Sequence, residues 1–179
     1  MQTYILTFSG IKFYPMEPRP EDIRIEDIAH SLSLMTRANG HFKHFFSVGQ
    51  HSVNCAREAE DRGYTRRIQL GCLLHDASES YISDITRPVK QYLNAYYLIE
   101  EKLQRTIYEK FGLGDLTQAD LALIRSVDDA LLYKEFETLM NVRLFDEPPE
   151  LVGQHDFEQR DFKKVEKAFL DLFDCLYQK

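Results

Sequence analysis

Apolar residues recur at helical spacing along most of this chain, and strand-like alternation is confined to its beginning. Between residues 3 and 14 the apolar positions alternate loosely around Ser9-Gly10, which predicts a strand, a turn and a second strand. Farther along, apolar positions return every three or four residues, which predicts helices over about residues 26–35, 47–63, 65 onward through His75, 89–111, 118–145 and 161–177. We therefore expect an all-α helical bundle with a small N-terminal β-hairpin.

The chain contains no linker, internal repeat or low-complexity tract, so residues 1–179 are expected to form one domain. Its parts are the hairpin at about 3–14, a helical core at about 25–145 and a terminal helix at about 161–177. In the helix over 89–111, the residues expected to face inward are Leu93, Tyr96, Tyr97, Leu103 and Ile107. The phenylalanine-rich stripe of the terminal helix could serve the core or a second subunit equally well.

Polar residues that can bind a metal interrupt the apolar pattern at specific places. His75 and Asp76 directly follow the apolar run Ile68–Leu74. In the helix over 118–145, Asp128 lies on the inward face, whereas Asp129 is expected to turn away together with Arg125. That inward face consists of Leu121, Ile124, Asp128, Leu131, Glu135 and Leu139. A carboxylate facing the core needs a cation, which is the reason for choosing Asp128 over its neighbour.

A fourth ligand candidate, His51, lies on the inward stripe of its helix, one turn from Val48 and from Cys55. A lone histidine in such a place is more often an ordinary core residue, and an isolated His-Asp pair is more often a helix end. Together, however, the candidates form a mixed nitrogen and oxygen set that suits one divalent transition metal, namely Mn, Fe, Co, Ni or Zn. The predicted ligands are His51, His75, Asp76 and Asp128.

Composition and charge narrow the possible partners. The net charge is −7 and no basic stripe dominates any segment, so a nucleic-acid polymer is not expected as a partner. The three cysteines, Cys55, Cys72 and Cys175, are expected to be free, the first two as small core residues, which suits a reducing cytoplasm. The first ten residues lack the basic region and the long apolar region of a signal peptide, and no apolar run is long enough for a membrane span. We expect a cytoplasmic protein.

The order of the predicted ligands resembles that of the HD-domain phosphohydrolases, which are named for their His-Asp pair. Their pattern of His, His-Asp and Asp is matched by His51, His75-Asp76 and Asp128. The stretch His75-Asp76-Ala77-Ser78-Glu79, then Asp84 and Pro88-Val89-Lys90, is similar to the bacterial 5′-deoxynucleotidases. Residues 25–30 and 46–52 are similar to a group of short HD hydrolases. The resemblance covers roughly residues 10 to 140.

This resemblance implies hydrolysis of nucleoside 5′-monophosphates, with Glu79 and Asp84 as the catalytic residues that orient water and move protons. Two features depart from the pattern. The deoxynucleotidases sense the sugar with an Arg-Trp pair, whereas this chain has no tryptophan and offers Arg37-Ala38 as its nearest counterpart. Two-metal relatives carry extra histidines after the His-Asp pair, and none lies between Asp76 and Asp128, which favours a single ion.

A small nucleotide substrate would need cations for its phosphate beyond the metal, because two carboxylate ligands already neutralise a divalent ion. The candidates near the ligands in sequence are Arg37, Lys43, His44, Arg87 and Lys90. The alternatives are a phosphodiesterase or pyrophosphohydrolase acting on another nucleotide, and a metal-stabilised regulatory module without turnover. The resemblance to dimeric relatives implies a homodimer.

Overall fold

The chain begins with the expected hairpin, which a computed structural model describing residues 3–177 places against the helices. Strands β1 (Ile5–Leu6) and β2 (Lys12–Phe13) pair in antiparallel fashion, with Ile5 opposite Phe13. The turn between them contains Gly10 at a φ of 81°, a backbone conformation that glycine adopts without strain. Phe13 is completely buried and stacks on Tyr81, so the hairpin is joined to the helical core.

The rest of the described chain is mostly helical, which confirms the all-α class. Short 3₁₀ turns occupy Pro20–Asp22 and Arg37–Gly40. The α-helices are α1 (Ile25–Leu34), α2 (Val48–Asp61), α3 (Arg66–Leu74), α4 (Glu79–Ile82), α5 (Arg87–Lys90), α6 (Asn94–Lys110), α7 (Gln118–Met140) and α8 (Phe162–Leu176).

Helix α2 is the centre of the bundle, because α1, α3, α7 and α8 all pack against it. Its side-chain cap is Ser47, which accepts a hydrogen bond from the Gln50 backbone N–H. Gly49 lets α1 approach closely: a Cβ there would lie 3.0 Å from the Ser33 nitrogen and 3.1 Å from the Leu32 carbonyl carbon. His51 is thereby carried, fully buried, into the middle of the molecule.

Three expected helix boundaries were wrong. The helix expected over 89–111 is two helices, α5 and α6, separated by a turn at residues 91–93. Leu103 and Ile107 are buried as expected, but two other residues expected to face inward are exposed: Leu93, which lies in the turn, and Tyr97, which lies in the first turn of α6. The helix expected from residue 65 through the His75 region ends at Leu74, and α4 follows after a turn.

The helix expected over 118–145 also ends early, at Met140. Asn141 follows it with a φ of 56° and a ψ of 38°, the left-handed conformation that commonly closes a helix. The chain then runs without helix or strand until α8. Within residues 3–177, no helix combines the length and the apolar character needed to cross a membrane.

Candidate metal centre and cavity

Two histidines from different helices point the same nitrogen at one spot. His51, on α2, donates its Nδ1–H to Oε1 of Glu135 at 2.6 Å, and His75, at the end of α3, donates its Nδ1–H to the Cys72 carbonyl at 2.8 Å. These bonds leave both Nε2 atoms available as lone-pair donors, and the two atoms are 3.3 Å apart. The pair is therefore oriented as metal-binding histidines are.

Two carboxylate oxygens complete the group. Oδ2 of Asp76 lies 3.1 Å from Nε2 of His75 and 3.8 Å from Nε2 of His51. Oδ1 of Asp128, on α7, lies 3.2 Å from Nε2 of His51 and 3.7 Å from Nε2 of His75. The structure therefore brings together all four residues that the sequence analysis named as ligands.

The spacing of these donor atoms suits one ion. Zinc and similar ions bind imidazole nitrogen and carboxylate oxygen at about 2.0–2.2 Å, so neighbouring ligand atoms lie about 3.0–3.5 Å apart, depending on geometry. The observed separations of 3.1–3.8 Å match or slightly exceed this range. These side chains form a group that could hold a metal ion. The sulfur of Cys55 belongs to the same group, together with His51 and His75.

Arg37 enters the group from the turn that follows α1. Its Nε donates to Glu135 at 3.0 Å, and its Nη atoms reach Asp76 at 3.3 Å and Asp128 at 3.4 Å. The next two residues, Ala38 and Asn39, have φ values of 51° and 50°, in the left-handed region that L-residues rarely adopt. This strained turn aims the Arg37 side chain at the three carboxylates.

The surrounding charges shift the carboxylates toward their ionised forms. Burial raises the pKa of Asp76, but His75 and Arg37 outweigh burial and hold the pKa below its ordinary value. Burial likewise raises the pKa of Asp128, and hydrogen bonds with His51 and His75 lower it well below the usual range. Both shifts favour the ionised form of these two carboxylates.

A cavity of about 470 Å³ opens beside the group, within the range of small-molecule pockets. Its polar lining includes Asp76, Asp128 and both predicted catalytic residues, Glu79 and Asp84. Oε2 of Glu79 is buried and has no hydrogen-bond partner in the described part of the chain. Burial, Asp76 and Asp84 raise the pKa of Glu79 well above its ordinary value. Burial and Asp76 also raise the pKa of Asp84.

Three of the five predicted phosphate-binding cations lie at this cavity, namely Arg37, Arg87 and Lys90. The other two do not line it. Lys43 is exposed and donates to the Thr138 carbonyl, and His44 contacts the Phe45 carbonyl. Nearness to the ligands in sequence therefore does not bring these two side chains to the cavity. Lys43 lies at the end of α7, where its backbone N–H also donates to the Leu139 carbonyl.

Carboxylates on neighbouring helices hold the two cavity cations that come from α5. Arg87 donates to Oδ2 of Asp128 at 2.6 Å and to Oδ1 of Asp129 at 2.8 Å. Lys90 pairs with Glu100 on α6 at 2.5 Å. Asp129, which was expected to turn away with Arg125, does not line the cavity, although its carboxylate pairs with Arg87. It is also more exposed than Asp128.

Two residues at the centre were not assigned to it from the sequence. Glu135 was predicted to face inward, but its hydrogen bonds to His51 and Arg37 were not predicted. These partners lie 84 and 98 positions away in the sequence, too far for the helical pattern to pair them. Cys55 was interpreted only as a small core residue. Its buried sulfur lies 3.4 Å from Nε2 of His51.

A second group of ligand-type side chains, Glu58, Asp61 and His155, lies near the other end of α2. Glu58 already accepts four hydrogen bonds in this group, which leaves its oxygens little capacity for an ion. The donors are Arg62, the backbone N–H groups of Val152 and Gly153, and Nε2–H of His155. This group fastens the segment before α8 to α2.

Comparison with known proteins gives two relatives of similar length. The chain is 35% identical over 158 residues to the uncharacterized protein YfdR of Escherichia coli K12, an alignment that covers 82% of this chain and 86% of YfdR. It is 30% identical over 174 residues to an uncharacterized protein of Rhodobacter capsulatus, with coverages of 90% and 89%. No protein-family model matches the chain.

Proposed function

This chain belongs to the protein family of Escherichia coli YfdR, and we propose that it is a metal-dependent phosphohydrolase that converts nucleoside 5′-monophosphates to nucleoside and phosphate. The ion would be one divalent transition metal held by His51, His75, Asp76 and Asp128. The order of these residues, which resembles that of HD-domain phosphohydrolases, supports the proposal, and so does the arrangement of the cavity beside them.

The observation that carries the proposal is the charge at the centre. Three carboxylates, Asp76, Asp128 and Glu135, meet at one guanidinium, that of Arg37. Buried carboxylates require matching positive charge. Arg87 also pairs with Asp128, and with a fourth carboxylate, that of Asp129, so the two guanidiniums leave two of the four negative charges unmatched. A divalent ion between the two Nε2 atoms supplies those two charges. This balance of charge supports a divalent ion between the two histidines.

The cavity has both charged and apolar lining residues, which a nucleotide site requires. Arg87 and Lys90 would bind phosphate oxygens. The apolar residues would contact the nucleoside, with Phe136 and Phe145 available to contact a base. The apolar lining consists of Ala38, Ile85, Pro88, Leu132, Phe136, Leu144 and Phe145.

Glu79 and Asp84 would handle protons in this reaction. Both line the cavity, and both have raised pKa values, so each can hold a proton nearer to neutral pH than a free carboxylate does. A divalent ion, when bound, supplies positive charge to a phosphoryl oxygen and acidifies a water molecule. The two carboxylates would receive the proton of the attacking water and protonate the departing 5′-oxygen.

The decisive experiment is steady-state hydrolysis of dAMP, AMP, dATP and cyclic dinucleotides, measured side by side with Mn, Co, Mg or Ni. We expect turnover of the monophosphates, and only modest preference for the deoxy sugar because the chain has no tryptophan for sugar sensing. If triphosphates or diesters are hydrolysed efficiently while the monophosphates are not, the nucleotidase assignment is wrong, and the protein is a phosphodiesterase or pyrophosphohydrolase. Metal binding without any turnover would indicate a regulatory module.

Glu79→Ala provides the matched variant for that experiment. It should retain the metal, because Glu79 is not among the four ligands, while turnover falls on the order of a hundredfold or more, as expected for a lost acid–base group. Glu109→Ala, on the exposed surface of α6, is the control and should keep full activity. Full activity of Glu79→Ala would remove this residue from the mechanism.

A further inference from the structure

A strained stretch of backbone at Ser83 joins the two carboxylates to which the proposed function gives proton transfer. Ser83 follows α4, whose first residue is Glu79, and directly precedes Asp84. Its φ of 76° and ψ of 154° lie in a region that glycine occupies almost exclusively. Its backbone N–H donates to the Glu79 carbonyl at 2.8 Å. A serine keeps such a conformation only where surrounding contacts hold it, so the turn that carries Asp84 needs support from outside.

Tyr96, in the first turn of α6, makes a contact of this kind. Its hydroxyl donates to the Ser83 carbonyl at 2.5 Å, across 13 positions of the sequence. Burial and the carboxylate of Glu100 raise the pKa of Tyr96, so the hydroxyl keeps its proton at neutral pH and remains a donor. The Ser83 carbonyl belongs to the peptide group that joins Ser83 to Asp84. The hydrogen bond therefore fixes the orientation of the peptide group from which Asp84 starts.

Residues at the cavity hold the ring of Tyr96 in turn. Nζ of Lys90 lies over this ring, 5.7 Å from its centre, and pairs with Glu100. Tyr96 and Glu100 are four residues apart on α6, so their side chains lie on one face of the helix. That face contacts both Lys90 and the turn before Asp84, and Lys90 and Asp84 line the same cavity. Tyr96 does not line the cavity itself, so any influence on the reaction passes through Ser83.

We propose that Tyr96 is a positioning residue of the reaction, which holds the Asp84 carboxylate at the cavity through its hydrogen bond to the Ser83 carbonyl. This inference rests on the proposed function, in which Asp84 shares the proton transfers with Glu79. Tyr96 is not one of the four proposed metal ligands, so loss of its hydroxyl should slow turnover without releasing the metal. The competing interpretation is that the hydroxyl contributes only to the general stability of the bundle.

Hydrogen–deuterium exchange distinguishes these interpretations without relying on activity. The purified wild type is compared with Tyr96→Phe, which loses only the hydroxyl, and with the control Tyr92→Phe, at a tyrosine that is 81% exposed. We expect residues 80–86 to exchange about tenfold faster in Tyr96→Phe, as for the loss of one hydrogen bond, and at the wild-type rate in the control. Helix α7, which carries Asp128, should keep its rate in both variants. Unchanged exchange of residues 80–86 in Tyr96→Phe overturns the proposal, and so does faster exchange throughout the bundle.

Steady-state kinetics with dAMP connect this contact with the reaction. In Tyr96→Phe we expect kcat to fall about tenfold while KM changes by less than about twofold and the metal content is unchanged, because only Asp84 loses its position. Ser83→Gly, added to Tyr96→Phe, should recover most of the lost kcat, since glycine adopts the backbone conformation of Ser83 without strain. A wild-type kcat in Tyr96→Phe, or a change confined to KM, overturns the proposal.

The two proposals fail separately. If the wild type hydrolyses no monophosphate, the nucleotidase is wrong, and the exchange of residues 80–86 alone decides whether Tyr96 holds the turn before Asp84. If the wild type is active and Tyr96→Phe matches it in both exchange and kcat, the nucleotidase stands and the role of Tyr96 is rejected.

Discussion

At the level of single residues, Asp128 and Asp129 offer the sharpest comparison, since they are adjacent in sequence and differ in surroundings. Asp128 contacts both histidines and Arg37, whereas the more exposed Asp129 pairs with Arg87. Asp128→Ala should abolish stoichiometric metal binding and activity. Asp129→Ala should retain the metal and change the free energy of unfolding by less than about 1 kcal/mol, because exposed ion pairs contribute little.

The measurement is the metal content of each purified variant, with circular dichroism to verify folding. Loss of metal from Asp129→Ala and its retention by Asp128→Ala would show that the register proposed for α7 is incorrect. Arg125→Ala is a suitable control, because its side chain lies on the exposed face of the same helix.

Residue-level prediction from sequence succeeded where a polar side chain interrupted an apolar face. Asp128 and Glu135 stood out in this way, because the helical period alone fixes which positions face inward. Cys55 could not stand out, since a cysteine on an apolar stripe looks the same whether it lies beside a metal centre or only fills space. Lys43 and His44 do not line the cavity, because nearness in sequence does not determine where a side chain lies beyond a turn. Ordinary residues such as Ala38 give no signal of a turn with positive φ values.

At the level of elements, the two ends of α2 position two different groups of side chains. Its first turns carry His51 and Cys55, and its last turn carries Glu58, which fastens the segment before α8. Glu58 is completely buried and accepts hydrogen bonds from Arg62 and His155 and from two backbone N–H groups. At Gly153 an added Cβ would overlap the carboxylate of Asp61, so a larger residue there would require the Asp61 side chain to move.

Glu58→Gln should destabilise the protein by about 3 kcal/mol at pH 7, because buried charged donors lose their ionised partner. Burial raises the pKa of Glu58, but hydrogen bonds from Val152, Arg62, His155 and Gly153 outweigh it and lower the pKa below its ordinary value. The stabilisation is therefore fully present above the unfolded-state pKa of about 4.3 and is lost as pH falls through the lower folded-state pKa.

Urea unfolding of wild type and Glu58→Gln at pH 7 and below pH 4 measures this effect, with the exposed Glu60→Gln as the control. The difference in unfolding free energy between wild type and Glu58→Gln should shrink at the lower pH. Equal stabilities at pH 7 would show that Glu58 does not fasten the segment.

The helices themselves could be located from their periodicity, and their ends were harder to predict. Leu93 and Tyr97 continue the apolar spacing of α6, yet both are exposed, because the chain turns at residues 91–93 between the one-turn helix α5 and α6. Asn141 ends α7 by adopting a left-handed conformation that the preceding pattern does not require. Both corrections lie where a local turn overrides a pattern that would fit a longer helix.

At the level of the whole molecule, the packing of the terminal helix bears on whether α8 could form a subunit interface. The stripe of α8 that could have served a second subunit packs into the core, where Phe169 is fully buried and Phe173 nearly so. Helices α1, α2 and α3 all contact α8. The stripe is therefore not available as a subunit interface, and the grounds for a homodimer reduce to the resemblance to dimeric relatives.

The homodimer stays a prediction, with an expected mass in solution of twice the 21.0 kDa of one chain at micromolar concentration. Light scattering coupled to gel filtration measures this mass directly. A single-chain mass over a concentration series would reject the dimer and leave the catalytic proposal untouched, because every residue assigned to the centre comes from one chain.

The exposed stretch between α7 and the segment that Glu58 binds is a place where the backbone could be cut by a protease. Residues 141–148 carry no helix or strand and lie at the surface, while the first anchor on the far side is the Glu150 carbonyl, held by Arg62. A protease that cuts after Arg143 would thus break the chain without releasing α8, which stays bound through its aromatic face and the contacts to α2. The two pieces would behave as complementing fragments, so the protein could be produced as a split pair that reassembles around α2.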